Sequence, residues 1–170
     1  IAYNTKDVAP SKYQPGGSIL CSIGKPCHRV VESGVDTTGL GRWSWQRFRG
    51  KHNVSLRVIS AYRPCRAPGA NTVYSQQSRF FDATSDTPIQ PRKQFFEDLS
   101  KEISKWKNEE HDQIVLMMDA NTGTSITTDR ELQEFLRSTN LIDAVTTRHQ
   151  ERYGLQPTHH NGRHPIDGIF

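Results

Sequence analysis

The sequence predicts an α/β layered sandwich, in which amphipathic helices cover a β-sheet. Two consecutive segments, Arg42–Phe48 and Asn53–Tyr62, alternate in side-chain character with the two-residue period of strands. A helical pattern follows Pro91, and a short apolar run, Ile114–Met118, separates it from a second helical pattern. Strands followed by helix, strand and helix are typical of helices layered on a sheet.

The two alternating segments are predicted to be neighbouring antiparallel strands. Trp43 and Trp45 fall on one face of the first strand, and Val54, Leu56 and Val58 fall on one face of the second. The run 114–118 is apolar throughout, which indicates a central strand buried on both faces. A final short strand is predicted over 166–170.

The helix after Pro91 is the most regular element of the sequence. Proline suits the first turn of a helix, and Glu97 and Lys101 are spaced to pair on the outer side. Apolar residues recur every three or four positions at Phe95, Leu99, Ile103 and Trp106. Thr128–Glu131 has the form of a capping box and predicts a second helix. The buried face of that second helix would contain Leu132, Phe135 and Leu136. A shorter helix is expected around Tyr74–Phe81.

Composition places limits on domain number and partners. A chain of 170 residues suits one domain, 1–170, and it contains no apolar run of about 18 residues that could cross a bilayer. Lysine and arginine number 22 against 18 acidic residues, a net charge of +4 that suits a polyanionic partner and equally an ordinary basic domain. Three cysteines without a secretory signal favour reduced thiols in an intracellular protein.

The first candidate site follows the apolar run, where ligands gather in layered α/β proteins. Asp119 and Asn121 are two residues apart and would point to the same side of an extended chain. A carboxylate can bind a hard cation or accept a proton from water, and an amide can hold a phosphate oxygen. The alternative is a simple turn, because Asp, Asn, Thr and Gly all favour turns.

Two other segments contain candidate residues. Tyr62 ends its strand, from which its phenol could reach a phosphate, although an edge aromatic packed on a neighbour is the competing interpretation. Asp167 lies on the last predicted strand and could orient a catalytic histidine. The histidines at 159, 160 and 164 match no closed structural zinc pattern.

Taken in order, these pieces resemble the endonuclease/exonuclease/phosphatase superfamily, the fold of DNase I, apurinic endonucleases and retroelement endonucleases. Gly16-Gly17 is similar to the family's glycine-led strand, and Val58–Pro64 to its strand ending in Tyr-x-Pro. Ile114–Asn121 is similar to the Gly-Asp-x-Asn strand, with Met118 in place of the glycine. Pro157-Thr158 followed by Ile166-Asp167 resembles the closing motif.

The resemblance implies a four-layer α/β/β/α sandwich and a Mg²⁺- or Mn²⁺-dependent phosphodiesterase that cuts DNA. Asp119 would position or activate the attacking water and contact the metal. Asn121 would bind the scissile phosphate, Tyr62 would contact that phosphate or its leaving oxygen, and Arg63 would assist in binding it. Asp167 would hold a catalytic histidine. The corresponding expectation is an intracellular protein, and the nucleus is one candidate compartment.

The family's metal-binding Glu and its closing Ser-Asp-His have no counterpart in the sequence. Only Ile1–Pro15 precedes the Gly-Gly pair, and the chain stops at Phe170. We therefore expect the chain to be a fragment that is incomplete at both ends and inactive alone. A retroelement polyprotein is one candidate for its longer parent protein. Two alternatives remain: a phosphatase acting on phospholipid or inositol phosphate, and a degenerate nucleic-acid-binding module without catalysis.

Overall fold

A computed structural model describes residues 1–3, 17–52, 54–67, 69–122, 129–153, 157–162 and 164–170. Gly16 of the predicted Gly-Gly pair and Thr128 of the predicted capping box lie outside these ranges. The strands are β1 (Ala2–Tyr3), β2 (Ile19–Leu20), β3 (Val30–Val35), β4 (Trp43–Arg49), β5 (Ser55–Tyr62), β6 (Asp112–Asp119) and β7 (Asp167–Ile169). The helices are α1 (Val73–Thr84), α2 (Pro91–Asn108), α3 (Arg130–Thr139) and α4 (Ala144–Tyr153), and a 3₁₀ helix spans Lys25–Arg29.

The mixed α/β class predicted from the sequence is confirmed. Five strands form one sheet in the order β3-β4-β5-β6-β7, and β1 and β2 form a separate two-stranded sheet. Only β5 and β6 run parallel, and the crossover between them contains α1 and α2. None of the helices in the described part of the chain combines the length and apolar character that crossing a bilayer requires.

The core lies between α2, α3 and one face of the five-stranded sheet. The four apolar residues predicted for the first helix are all buried there, and so are the three predicted for the second. Trp43 meets Phe95 edge to face at a centroid distance of 5.9 Å, and Trp45 lies 5.4 Å from Trp106. Aromatic residues at period two on β4 therefore serve to dock α2.

The small sheet covers the opposite face of the large one. The Ser18 hydroxyl donates to the carbonyl of Ser60 at 2.7 Å and lies 3.1 Å from the hydroxyl of Ser44. Helices, large sheet and small sheet make three of the four predicted layers. Within the described residues no helix packs on the outer side of β1 and β2, so the fourth layer stays a prediction.

The face of β5 that packs on α2 is not the one with Val54, Leu56 and Val58. Val54 is 46% exposed, whereas the residues that face α2 are Arg57, Ile59 and Ala61. The Arg57 guanidinium lies 4.0 Å from the Trp45 ring centroid and is paired with a buried carboxylate, so the arginine belongs to the core.

Two predicted helix contacts are also wrong in detail. Glu97 pairs with Lys93 at 3.5 Å and not with Lys101, which contacts Asp98 instead. The N-cap of α3 is Asp129, whose carboxylate accepts a hydrogen bond from the Leu132 amide at 3.0 Å.

Candidate active site

Three predicted site residues lie side by side where β5, β6 and β7 meet. Because β5 and β6 are parallel, their last residues, Tyr62 and Asp119, lie at the same edge and are paired in register. Strand β7 is antiparallel to β6, so its first residue, Asp167, lies opposite Asp119 on the other side. Paired residues of neighbouring strands project to the same face, which is here the face opposite α2. The fold therefore brings together residues from three distant segments.

Asn121 joins this row through a turn and not through extended backbone. Its φ of 46° is left-handed, a conformation that asparagine tolerates better than most residues. Its backbone amide donates to Asp119 Oδ1 at 3.0 Å, and its side-chain amide donates to the carbonyl of Arg63 at 2.7 Å. The turn interpretation is thus correct for the backbone, and the turn itself holds Asn121 beside Asp119.

The environment changes the proton affinity of both Tyr62 and Asp119. Burial raises the pKa of Tyr62, the Asp119 charge raises it further, and a hydrogen bond with Asn121 opposes these effects. Burial also raises the pKa of Asp119, and the charge of Asp167 adds to it, against the Asn121 amide. Tyr62 therefore remains a neutral phenol near pH 7 and can donate its proton in a hydrogen bond.

The start of β7 is positioned by Thr158. Its hydroxyl accepts hydrogen bonds from the backbone amides of Ile166 at 2.9 Å and Asp167 at 3.2 Å. The Pro-Thr pair singled out in the sequence therefore holds the strand that presents Asp167. The next residue, His159, lies near enough to Asp119 for its charge to lower the pKa of that carboxyl. The sequence pattern did not indicate this proximity.

Arg63 does not share the face of the other candidates. It is 1% exposed and points toward α2, where its guanidinium lies 4.3 Å from the centre of the Phe96 ring. It donates to Asp129 Oδ2 at 2.7 Å and to the Glu131 carboxylate. The structure thus gives Arg63 a supporting position beneath the site, in place of the predicted contact with substrate.

Backbone atoms of Arg63 support the site directly. Its amide donates to the carbonyl of Asp119 at 2.9 Å, and its carbonyl accepts the Asn121 side chain. One residue therefore holds the ends of β5 and β6 together and connects them to the start of α3. Arg92 belongs to the same cluster, since it donates to the carbonyl of Pro64 at 2.8 Å and lies 3.7 Å from Asp129.

The row contains oxygen donors of the kind that a divalent cation binds. Asp119 and Asp167 are carboxylates in directly opposite positions, where like charges repel each other. Mg²⁺ is commonly held by one or two carboxylates together with waters and substrate phosphate. The described residues contain no group of three His, Cys, Asp or Glu side chains that would form an all-protein cage.

No protein-family model matches the sequence, and no curated protein matches it. Among solved structures, the human Nocturnin catalytic domain with bound sulfate is similar at 17% identity and a TM-score of 0.48, over 75% of this chain and 39% of that one. Sphingomyelinase C from Streptomyces griseocarneus is 10% identical with a TM-score of 0.38, over 82% of this chain and 48% of that one. Beta toxin from Staphylococcus aureus is 12% identical with a TM-score of 0.38, over 68% of this chain and 38% of that one.

The chain thus spans between about two fifths and half of the length of these structures. At such identities and TM-scores the similarities transfer no residue roles to this chain.

Proposed function

We propose that the chain forms part of a metal-dependent phosphodiesterase that cuts DNA by in-line attack of water on phosphorus. The observation that carries the proposal is the row at the edge of the sheet, where Tyr62, Asp119 and Asp167 are paired in register and Asn121 is tied to Asp119. A carboxylate that can orient water, and an amide and a neutral phenol that can donate hydrogen bonds to phosphate oxygens, are groups that can promote phosphodiester hydrolysis. An intracellular setting belongs to the same proposal.

Each side chain has a role that follows from its contacts. Asp119 accepts the Asn121 amide on Oδ1, which leaves its other oxygen to orient the attacking water. One Asn121 side-chain N–H is bound by the Arg63 carbonyl and the side chain also bonds Tyr62, so a phosphate oxygen would compete with the Tyr62 oxygen for the second N–H. Tyr62, protonated at neutral pH, can donate to the phosphate or to the leaving oxygen.

Asp167 is the expected partner of a catalytic histidine, which it would orient through one ring nitrogen. Thr158 holds the Asp167 backbone opposite Asp119, which supports this role. A divalent cation bound by the two carboxylates would neutralise charge that develops on the phosphate oxygens.

The test compares plasmid nicking by Asp119→Asn and by a matched control, Asp82→Asn. Asp82 is an exposed carboxylate on α1, so its replacement makes the same chemical change away from the row. Supercoiled DNA is incubated with Mg²⁺ and either the 170-residue chain or the longest reading frame that encodes it. We expect nicking by the longer protein, a loss of about 100-fold or more with Asp119→Asn, and no loss with Asp82→Asn. The 170-residue chain alone should not nick.

Nicking activity that is retained in Asp119→Asn would contradict the catalytic role proposed for the row. Hydrolysis of a phospholipid or inositol phosphate without nicking would assign the site to the phosphatase alternative. Mg²⁺-independent DNA binding without any hydrolysis by the longer protein would favour the non-catalytic module.

A further inference from the structure

The structure contains a basic surface at the end of the large sheet remote from Tyr62. It is a cleft of about 430 Å³ between the 3₁₀ helix, the edge strand β3 and the turn after β4. The residues that line it include His28, Arg29, Arg49 and Lys51, all of which are exposed. Among the residues that the structure describes, no carboxylate lines this cleft. It therefore presents three formal positive charges and a histidine to solvent.

The arginines of the cleft differ from those of the core. The buried arginines form ion pairs with carboxylates. Arg42 pairs with Asp36, Arg57 with Asp112 and Arg63 with Asp129. Within the part of the chain that the structure describes, the basic side chains of the cleft form no ion pair. The buried arginines are therefore neutralised by carboxylates, whereas the exposed cations of the cleft are not.

The position of two arginines adds an independent observation. The β3–β4 ladder ends at the pair Val30 and Phe48. Arg29, the last residue of the 3₁₀ helix, and Arg49, the last residue of β4, adjoin this pair, and both line the cleft. An anion bound between the two guanidiniums would offset their like charge, and arginine binds phosphate through two parallel hydrogen bonds.

We propose that this cleft binds the phosphodiester backbone of a nucleic acid. A register shift between Val30 and Glu32 leaves Val31 as an extra residue, which is exposed and offers an apolar contact beside the charges. Clustered arginine and lysine without acidic neighbours are characteristic of contacts to a phosphate backbone.

The cleft and the Tyr62 row lie at the two ends of the same strand. Arg49 is paired with Ser55, the first residue of β5, and Tyr62 is the last. Seven steps at about 3.3 Å per residue separate them by roughly 23 Å. By alternation Arg49 shares the α2 face of β4 with Trp43 and Trp45, whereas Tyr62 projects from the opposite face, so backbone binding in the cleft does not rest on the proposed function.

The test reverses the charge of the cleft with Arg49→Glu/Lys51→Glu. Binding of a fluorescein-labelled 20-base-pair duplex is followed by anisotropy in EDTA over a series of salt concentrations. We expect affinity at low salt to fall at least tenfold and the slope of log K against log salt to become shallower by about two. The matched control, Lys105→Glu/Arg137→Glu, changes the net charge equally at two exposed helix positions and should keep the slope.

An equal loss of affinity in both variants would show that net charge alone matters and would overturn the proposal. Binding to phosphatidylserine vesicles that depends on Arg49 and Lys51, with DNA binding unchanged, would replace nucleic acid by a membrane surface. Because EDTA removes the cation, the anisotropy assay measures DNA binding without hydrolysis. Loss of DNA binding in the cleft, measured by anisotropy, is therefore distinguishable from loss of catalysis, measured by nicking.

Discussion

Replacing Arg63 with methionine tests whether the buried guanidinium holds the site and α3 together. The change keeps an unbranched side chain over Phe96 and removes the cation that pairs with Asp129 at 2.7 Å and with Glu131. Loss of one partner from a buried ion pair costs about 3–5 kcal/mol. Glu131 is 40% exposed at its side chain, which brings the expected cost toward the lower end, about 3 kcal/mol.

A cost of about 3 kcal/mol corresponds to a fall in Tm of roughly 6–12 °C for a chain of this length. Urea and thermal unfolding at pH 7 measure it. Arg63→Lys, which keeps the charge but not the planar fork, should lie between methionine and wild type. Arg63→Met/Asp129→Asn should recover part of the loss, because it removes the carboxylate left unpaired.

The difference between wild type and Arg63→Met should also depend on pH. Burial tends to raise the pKa of Asp129, but the Leu132 amide and the bond and charge of Arg63 outweigh it, so the pKa lies below its ordinary value of 3.8. A depressed pKa stabilises the folded state above the unfolded value, and that stabilisation disappears as the pH falls through the folded value. The two proteins should therefore converge in stability below about pH 4. A loss under about 1 kcal/mol, or one that is independent of pH, would refute this account.

Two further substitutions test the turn and the core. Asn121→Ala should be less stable than Asn121→Gly by about 1 kcal/mol in urea unfolding, because an L-residue other than asparagine is strained at a φ of 46°; equal stabilities would contradict a left-handed backbone there. Leu99→Ala should cost about 2–5 kcal/mol, since Leu99 is fully buried between α2 and the sheet. Lys101→Ala on the exposed side of the same helix should change stability by less than about 0.5 kcal/mol, and a similar loss in both variants would argue against this orientation of α2.

Local patterns predicted most of the secondary structure. Helix α2 begins at Pro91 and buries the residues that its period indicates, because that spacing puts them on one face of any α-helix. The strands β4, β5, β6 and β7 were each expected near their observed ranges, and the helix expected near Tyr74–Phe81 is α1, Val73–Thr84.

Local patterns failed where a side chain's role depends on residues distant in sequence. Arg63 was predicted to assist in substrate binding and Arg57 was given no role, yet both lie in the core with carboxylates from other elements. Glu131, expected to close a capping box, is bonded to Arg63 instead. Whether an arginine is buried depends on whether a carboxylate from another segment reaches it, and no window of sequence contains that information.

The candidate site shows the same division. The sequence by itself determined which residue types end the strands: Tyr62, Asp119 and Asn121, and Asp167 at the start of the last one. Only the tertiary structure decided that β5 and β6 are parallel and β7 antiparallel, which places all these ends at one edge and in register. It also put Arg63 beneath the row, on the other face of the sheet, because adjacent residues of a strand point to opposite sides. The chemical groups were thus specified locally, and their assembly depended on strand pairing between residues 57 positions apart (Tyr62 and Asp119) and 48 positions apart (Asp119 and Asp167).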